Sequence, residues 1–510
     1  MNFTALATAT LIATLSSCTS THKRIVQLDK PQCCFMEGKD DKTVTSRYVE
    51  YDTDNDGEAD YIALMNEKGV KYKFLRQNPN GSLESIIEQS QLNDPKINNV
   101  VLCLDGVSFD TMKDLYKRGY FRLFNKPGRL ISTFPSISYY AFGKMFGLHK
   151  PEGYEEEAYF DREKNKIIGG NILKEIFNIH YHEKWLYMPK DNKLSLTTYL
   201  LSYIVPAVAA DFELSEARKT ITESDRKNTI IYVLTTDTYS HLYKKNDVED
   251  LLIRIDSMIE DIFFKKNGRI KFIIVSDHGS NLTPSDKRIN LESAIRKSGF
   301  NNSDSLRAKN DVVIPKFGMV NYASIFTDPV NVKKIVNIVK GVNGVDLVFY
   351  HENSAVVVES KNGRALIEGN QGKFRYTAVL NDPLELKEVL EKLKANKKLD
   401  ENLYADDSDW MEFTRDKKYP DSLKRIYDGL GNEVMNVPNI LISIKNGYYY
   451  SDVFLDSLST SKGTHGSLEK ESTYGIFMSN FFEVPRHIRI DAVMEYINKY
   501  HSIELKPIQP

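Results

Sequence analysis

The stretch Ile270-Lys271-Phe272-Ile273-Ile274-Val275-Ser276-Asp277-His278-Gly279 decides the fold. Five of its first six residues are apolar and β-branched or aromatic, the composition of a strand buried on both faces. Directly after it stand an aspartate and a histidine, residues suited to binding metal or moving protons. Two other runs have the same character. Asn99–Leu104 is closed by Asp105-Gly106, and Thr229–Leu234 is followed by Thr236-Asp237-Thr238-Tyr239-Ser240-His241. Helical patterns at Thr111–Arg118 and Val248–Phe264 separate these runs. Buried strands alternating with amphipathic helices predict an α/β fold, a doubly wound and mostly parallel sheet with helices on both faces. Ligands in such sheets bind beyond the carboxyl ends of the strands, so the residues just past each run are the candidate site.

Two further stretches belong to that inventory. Leu130-Ile131 leads into Ser132-Thr133-Phe134-Pro135-Ser136, and Gly463-Thr464-His465-Gly466 lies far downstream. Any one of these residues alone reads as a strand-end cap. Together, Asp105, Asp237, Asp277, His241, His278, His465 and the Thr133 hydroxyl make a mixed carboxylate and imidazole set. Such a set suits zinc, with manganese as the alternative.

In that order, Asp-Gly, Thr-Phe-Pro, Asp-x-x-x-His, Asp-His-Gly and Thr-His-Gly resemble the alkaline phosphatase superfamily, and within it the type I phosphodiesterase / nucleotide pyrophosphatase family. The resemblance implies two divalent ions, one held by Asp237, His241 and His465 and the other by Asp105, Asp277 and His278, with Thr133 as a nucleophile that also contacts metal. Such a pair, about 3.5–4 Å apart, can clamp the attacking and leaving oxygens of an in-line displacement. The implied reaction is cleavage of a phosphodiester or pyrophosphate through a covalent phospho-threonine, then hydrolysis from the opposite side. Monoester hydrolysis or phosphotransfer on the same site is the alternative. A surface binding lipoprotein with weakened catalysis is the alternative from another class. The C/S-x-P-x-R context of sulfatases is absent. Two departures stand out: Ser240 precedes His241 where relatives carry Gly, and Glu157 aligns where an Asn normally meets the phosphate. Either the alignment slips, or Glu157 belongs to a solvated acidic loop, the reading that fits best, with Asn171 or Lys144 supplying the phosphate contact, or the substrate brings a cation to Glu157.

The whole chain has 510 residues with 68 Lys+Arg against 70 Asp+Glu, a balance that gives no electrostatic case for a nucleic-acid polymer. Its substrate is expected to be a small-molecule or lipid-like phosphoester. Residues 1–17 read as a signal peptide and Leu15-Ser16-Ser17-Cys18 as a bacterial lipobox, so that Cys18 carries a lipid and residues 18–45 form a tether. The protein is then expected outside the cytoplasm, anchored to a membrane. A β-hairpin over 46–75 carries a calcium-type loop, with Asp52, Asp54, Asp56 and Asp60 expected as structural calcium ligands around Gly57. The expected division continues with a hydrolase core at 98–330 (with an insertion at 145–220), an α+β cap at 331–435 and a core return at 436–510. A buried helix kinked at Pro206 is expected inside the insertion, and Tyr448-Tyr449-Tyr450 offers a surface for stacking a ring.

Overall fold

The computed structural model describes residues 32–37, 44–51, 58–66, 71–78, 80–88, 94, 96–148, 150–155, 158–169, 190–192, 201–202, 204–316, 318–451 and 463–501. They group into two compact units, one of the residues up to Asp94 with Arg254–Arg269, the other of Pro95–Ile253 with Ile270–Pro510.

In the first unit five strands, Gln32–Glu37, Val44–Tyr51, Tyr61–Met65, Lys71–Gln77 and Leu83–Glu88, form an antiparallel meander in chain order. The hairpin expected at 46–75 is thus one part of a larger sheet. All five residues of Tyr61–Met65 are buried, because residues from the middle of the chain cover the sheet. The Tyr61 ring stacks on Phe264 at 3.7 Å between centroids, and Phe74 meets Phe263 edge-on at 5.1 Å. Asp52, Asp54 and Asp56 lie outside the described residues. Asp60 donates its N–H to Tyr51 O and accepts from Gln77 N–H.

The second unit is built on a six-stranded sheet of β1 (Asn98–Leu104), β2 (Gly128–Ile131), β3 (Asn228–Val233), β4 (Ile270–Val275), β5 (Tyr474–Ser479) and β6 (His487–Arg489), ordered β3-β1-β4-β5-β2-β6. β1 pairs in parallel with β3 and β4, β2 pairs in parallel with β6, and β5 runs antiparallel to both β4 and β2. Five strands therefore point one way and β5 opposes them. The parallel pairs require long crossovers, which helices α1 (Phe109–Lys117), α2 (Ser138–Phe146), α3 (Pro206–Glu223), α4 (Thr235–Leu242) and the first part of α5 (Lys245–Lys265, which passes into the first unit at Arg254) occupy. This is the α/β class that the strand–helix alternation predicts. Pro206 starts a helix where a kink was expected: Val205 leaves the helical region (φ −138°, ψ 67°) and Pro206 takes the first position of α3. The helix is not wholly buried, since Phe212 is exposed.

Residues 331–435 are not a separate cap. Their strands Val345–Glu352, Ala355–Glu359, Arg364–Asn370 and Lys373–Leu380 join a nine-stranded sheet that also holds Asp311–Val313, Tyr322–Thr327 and Ile440–Ile444. Ile440–Ile444, expected to return to the core sheet, lies between Tyr322–Thr327 and Val345–Glu352. All five of its residues are buried, and burial on both faces does not say which sheet a strand joins. Tyr449 and Tyr450 are buried as well, and Tyr450 donates to Glu292 at 2.8 Å, so these two rings pack the interior; the half-buried Tyr448 ring has Lys287 Nζ 5.4 Å from its centroid.

Ile274 sits in the centre of the six-stranded sheet, opposite Leu102 on one side and Met478 on the other. Ile274→Ala should lower stability by about 2–5 kcal/mol, measured as a lower midpoint of chemical denaturation.

Candidate active site

The backbone gathers the strand-end residues. β1 delivers Asp105, and Gly106 turns the chain at φ +66°. A Cβ on Gly106 would lie 2.5 Å from Asp237 Oδ1, so glycine is needed both for the turn and for the approach of Asp237. β3 passes through Leu234 into α4, where Asp237 and His241 stand four residues apart on one helix face. β4 ends at Asp277 and His278. The strap carrying His465 is fixed from two sides. Thr464 and Asn281 exchange backbone hydrogen bonds of 2.9 and 3.1 Å, and His465 O accepts from Asn321 N–H at 2.7 Å.

All three histidines are buried, and each uses Nδ1 toward a backbone carbonyl: His241 to Gly463 O at 3.0 Å, His278 to Gly279 O at 3.0 Å and His465 to Ser136 O at 2.9 Å. A carbonyl accepts only, so Nδ1 carries the proton and Nε2 presents a lone pair to the centre. These Nε2 atoms face carboxylates. His241 lies 3.2 Å from Asp237 Oδ2, His278 lies 3.2 Å from Asp277 Oδ2 and 3.7 Å from Asp105 Oδ1, and His465 lies 3.8 Å from Asp237 Oδ1. The His278 and His465 rings stack at 4.1 Å.

Lone pairs facing anionic oxygens in a buried pit call for positive charge between them. Burial holds His278 down to about 4. Burial, reinforced by His278, holds His465 down to about 3. Burial raises Asp277 to about 7, and burial with the neighbouring Asp277 raises Asp105 well above the carboxylate range. Asp237 is driven up by burial, yet His241 and His465 together hold it below that range. Asp277 Oδ2 is buried with no hydrogen-bond partner. Among the described residues, Asp237, His241 and His465 form one group able to hold a cation, and Asp105, Asp237 and His278 form another. Asp237 thus belongs to both groups, and Asp277, expected as a ligand of the second ion, stands beside the second group through His278. The orphaned Asp277 oxygen and the bare Nε2 atoms fit divalent metal.

Thr133 is buried, with Oγ1 donating to Pro135 O at 2.7 Å. Its segment reaches the histidines through Ser136, whose Oγ donates to Thr133 O at 2.9 Å and whose O holds His465. Ser240, in the place of the expected Gly, turns its hydroxyl to Asp237 O at 2.8 Å. Of the substrate-contact candidates, Lys144 is paired with Glu433 at 2.5 Å and lines a cleft with Thr133, Lys424, Arg425 and Asp428. Asn171 and Glu157 lie outside the described residues, as does Cys18.

Several supporting residues escaped the reading of strand ends. Ser138, the first residue of α2, donates to Asp105 Oδ1 at 2.9 Å and lies 3.1 Å from His278 Nε2. The Tyr232 hydroxyl donates to Asp105 Oδ2. Glu213, buried in the middle of α3, accepts from Leu234 N–H at 2.8 Å and Thr235 N–H at 2.9 Å, satisfying orphan donors at the start of α4. Only the strand-end position of Tyr232 and the place of Ser138 beside the Thr-Phe-Pro stretch could have signalled two of them.

An α/β sheet with a buried Asp/His pit past its strand ends has the donor chemistry of a site able to hold divalent cations. The sequence matches the profile of the type I phosphodiesterase / nucleotide pyrophosphatase family over residues 154–468, more than half of the chain. The chain belongs to that family and is a phosphoric ester hydrolase. Asp237, His241, Asp277, His278 and His465 fall inside the matched span; Asp105 and Thr133 precede it. Solved structures with a similar course include human ectonucleotide pyrophosphatase / phosphodiesterase 5, at 11% identity and TM-score 0.44, covering 80% of this chain and 95% of that one. Phosphonoacetate hydrolase from Sinorhizobium meliloti 1021, in complex with phosphonoformate, matches at 11% identity and TM-score 0.45, covering 85% and 98%. No curated protein matches the sequence. Among the described residues, no helix is long and apolar enough to cross a membrane.

Gly106→Ala should push Asp237 out of place and weaken metal binding roughly 10–100-fold, read by titrating the metal-free variant with zinc while circular dichroism shows an unchanged fold.

Proposed function

We propose that the protein is a two-metal phosphodiesterase or pyrophosphatase with Thr133 as nucleophile. The observation that carries the reading is the commitment of all three histidine Nδ1 atoms to carbonyls, which aims three Nε2 lone pairs at buried aspartates. Asp237, His241 and His465 would hold one ion, and Asp105, Asp277 and His278 the other. When bound, the ions supply Lewis-acid stabilisation of phosphoryl oxygens and make a hydroxyl acidic near neutral pH. Thr133 Oγ forms a bond to phosphorus as the bond to the leaving oxygen breaks. Water then cleaves the phospho-threonine and restores the hydroxyl, leaving the phosphate product. Three carboxylates against two divalent ions leave one positive charge, which favours an anionic ester over a neutral one. The Tyr232 and Ser138 hydroxyls orient Asp105, and Glu213 fixes the helix that bears Asp237 and His241. Lipid attachment at Cys18, supported by the lipobox alone, would place this chemistry outside the cytoplasm, and calcium at Asp52–Asp60 would be structural.

The test pairs metal analysis with turnover of bis-p-nitrophenyl phosphate, p-nitrophenyl phosphate and a nucleotide 5′-p-nitrophenyl ester. Wild type should carry two zinc or manganese ions and prefer the diesters. Chelation should abolish turnover and zinc should restore it. Thr133→Ala should remove turnover while retaining the metals. Activity in that variant would refute the nucleophile assignment, and wild type without transition metal would refute the whole reading.

A further inference from the structure

Arg425 lies on α6 (Ser422–Gly429), inside the segment that the sequence marks as a cap, and its side chain is buried. A guanidinium has five N–H donors in a fixed fork, and the structure gives each an acceptor. Nε donates to Ser132 O at 2.9 Å. Nη2 donates to Thr133 O at 2.8 Å and Ser136 Oγ at 3.1 Å. Nη1 donates to Pro420 O at 3.2 Å and Leu468 O at 3.3 Å. No donor is left for a substrate, and none of the acceptors is a carboxylate. The neighbouring Asp421 is taken by Arg489, through bonds of 2.7 and 2.9 Å.

The acceptors are not scattered. Three belong to Ser132–Ser136, around Thr133, and a fourth, Leu468, follows His465 by three residues. Ser136 links the two pieces, since its Oγ donates to Thr133 O and its O orients the His465 ring. α6 itself is pressed close: a Cβ on Gly429 would lie 2.4 Å from Phe134 O. A buried cation surrounded by neutral acceptors is costly to desolvate, and a lysine, with three donors on a single nitrogen, cannot reproduce the fork.

We propose that Arg425 is a positioning residue for the phosphoryl-transfer step. It locks Ser132–Ser136, and through Ser136 the ring of His465, in the arrangement from which Thr133 attacks. The inference rests on Thr133 being the nucleophile.

The experiment compares wild type, Arg425→Lys and Ser136→Ala by steady-state kinetics on bis-p-nitrophenyl phosphate, by metal content, and by amide hydrogen exchange of the metal-free proteins. Arg425→Lys should lower kcat on the order of 10²-fold, the effect of small misplacement at a reacting centre. Its KM and metal content should stay near those of wild type. Exchange should rise in the peptide covering Ser132–Ser136 and stay unchanged in β1 and β4, whereas a merely structural role would raise it everywhere. Ser136→Ala, which removes one acceptor, should show a smaller change of the same kind. Wild-type kcat with unchanged exchange in Arg425→Lys would overturn the proposal, as would a loss of kcat matched by global exchange. If Arg425→Lys fails to fold, Ser136→Ala decides by the same two readouts. Turnover in Thr133→Ala would instead refute the nucleophile, and the local exchange would still report the brace.

Discussion

Three backbone carbonyls, those of Gly463, Gly279 and Ser136, determine which nitrogen of each site histidine carries its proton. Everything chemical in the pit depends on that choice. With Nδ1 protonated, Nε2 keeps a lone pair that can serve a metal ion, and the aspartates opposite are placed to act as co-ligands. The carbonyls belong to three different segments. The site is therefore only as well formed as the packing of the His465 strap, the turn after β4 and the Thr133 segment on one another. Close-approach glycines make that packing feasible. A Cβ on Gly463 would lie 2.5 Å from Ser240 O, and one on Gly475 would lie 2.4 Å from Ser276 O.

The segment between the two parts of the family core supports the site from behind. Residues 345–380 extend the sheet that holds Tyr322–Thr327, which directly follows Asn321, the donor to His465 O, and α6 brings Arg425 and Gly429 against the Thr133 segment. A cap that only selects leaving groups has no need to hydrogen-bond the Thr133 carbonyl. The charged groups around α6 are satisfied mainly within the same neighbourhood. Arg489 pairs with Asp407 and Asp421, and Lys424 pairs with Asp428 at 2.8 Å. This leaves Arg425 to the carbonyls.

Strand ends were the legible part of the sequence because burial and chemistry change abruptly there. Val100–Leu104 is apolar throughout and Asp105 is not, and the same break recurs after Val275. The Asp237–His241 pair was legible as spacing, although its helical geometry, which puts both on one face, was not. Glu213 and Arg425 were illegible because nothing local separates a buried charged residue on an amphipathic helix from an exposed one. Their roles come from contacts across 21 and 293 residues of chain. The second sheet was missed for a related reason: Ile440–Ile444 has the pattern of any doubly buried strand, and register with Tyr322–Thr327 is a tertiary property. The cover of the N-terminal meander by Phe263 and Phe264 has the same origin, since both read as ordinary apolar positions of a long helix.

The family match begins after Thr133 and Asp105, yet both are tied into the site by hydrogen bonds. Asp105 is placed by parallel pairing of β1 with β3 and β4, and it receives hydroxyl donors from Tyr232 and Ser138. Thr133 follows β2, which reaches β4 only through the antiparallel strand β5. The Thr133 segment is thus the part of the site least directly tied to the parallel strands that carry the aspartates. A segment so placed needs a tie of its own, and the hydrogen bonds through Ser136 to His465 and from Arg425 to both flanks of Thr133 supply it. The sheet's connectivity accounts for the location of the brace: rigidity is added where the strand order provides least.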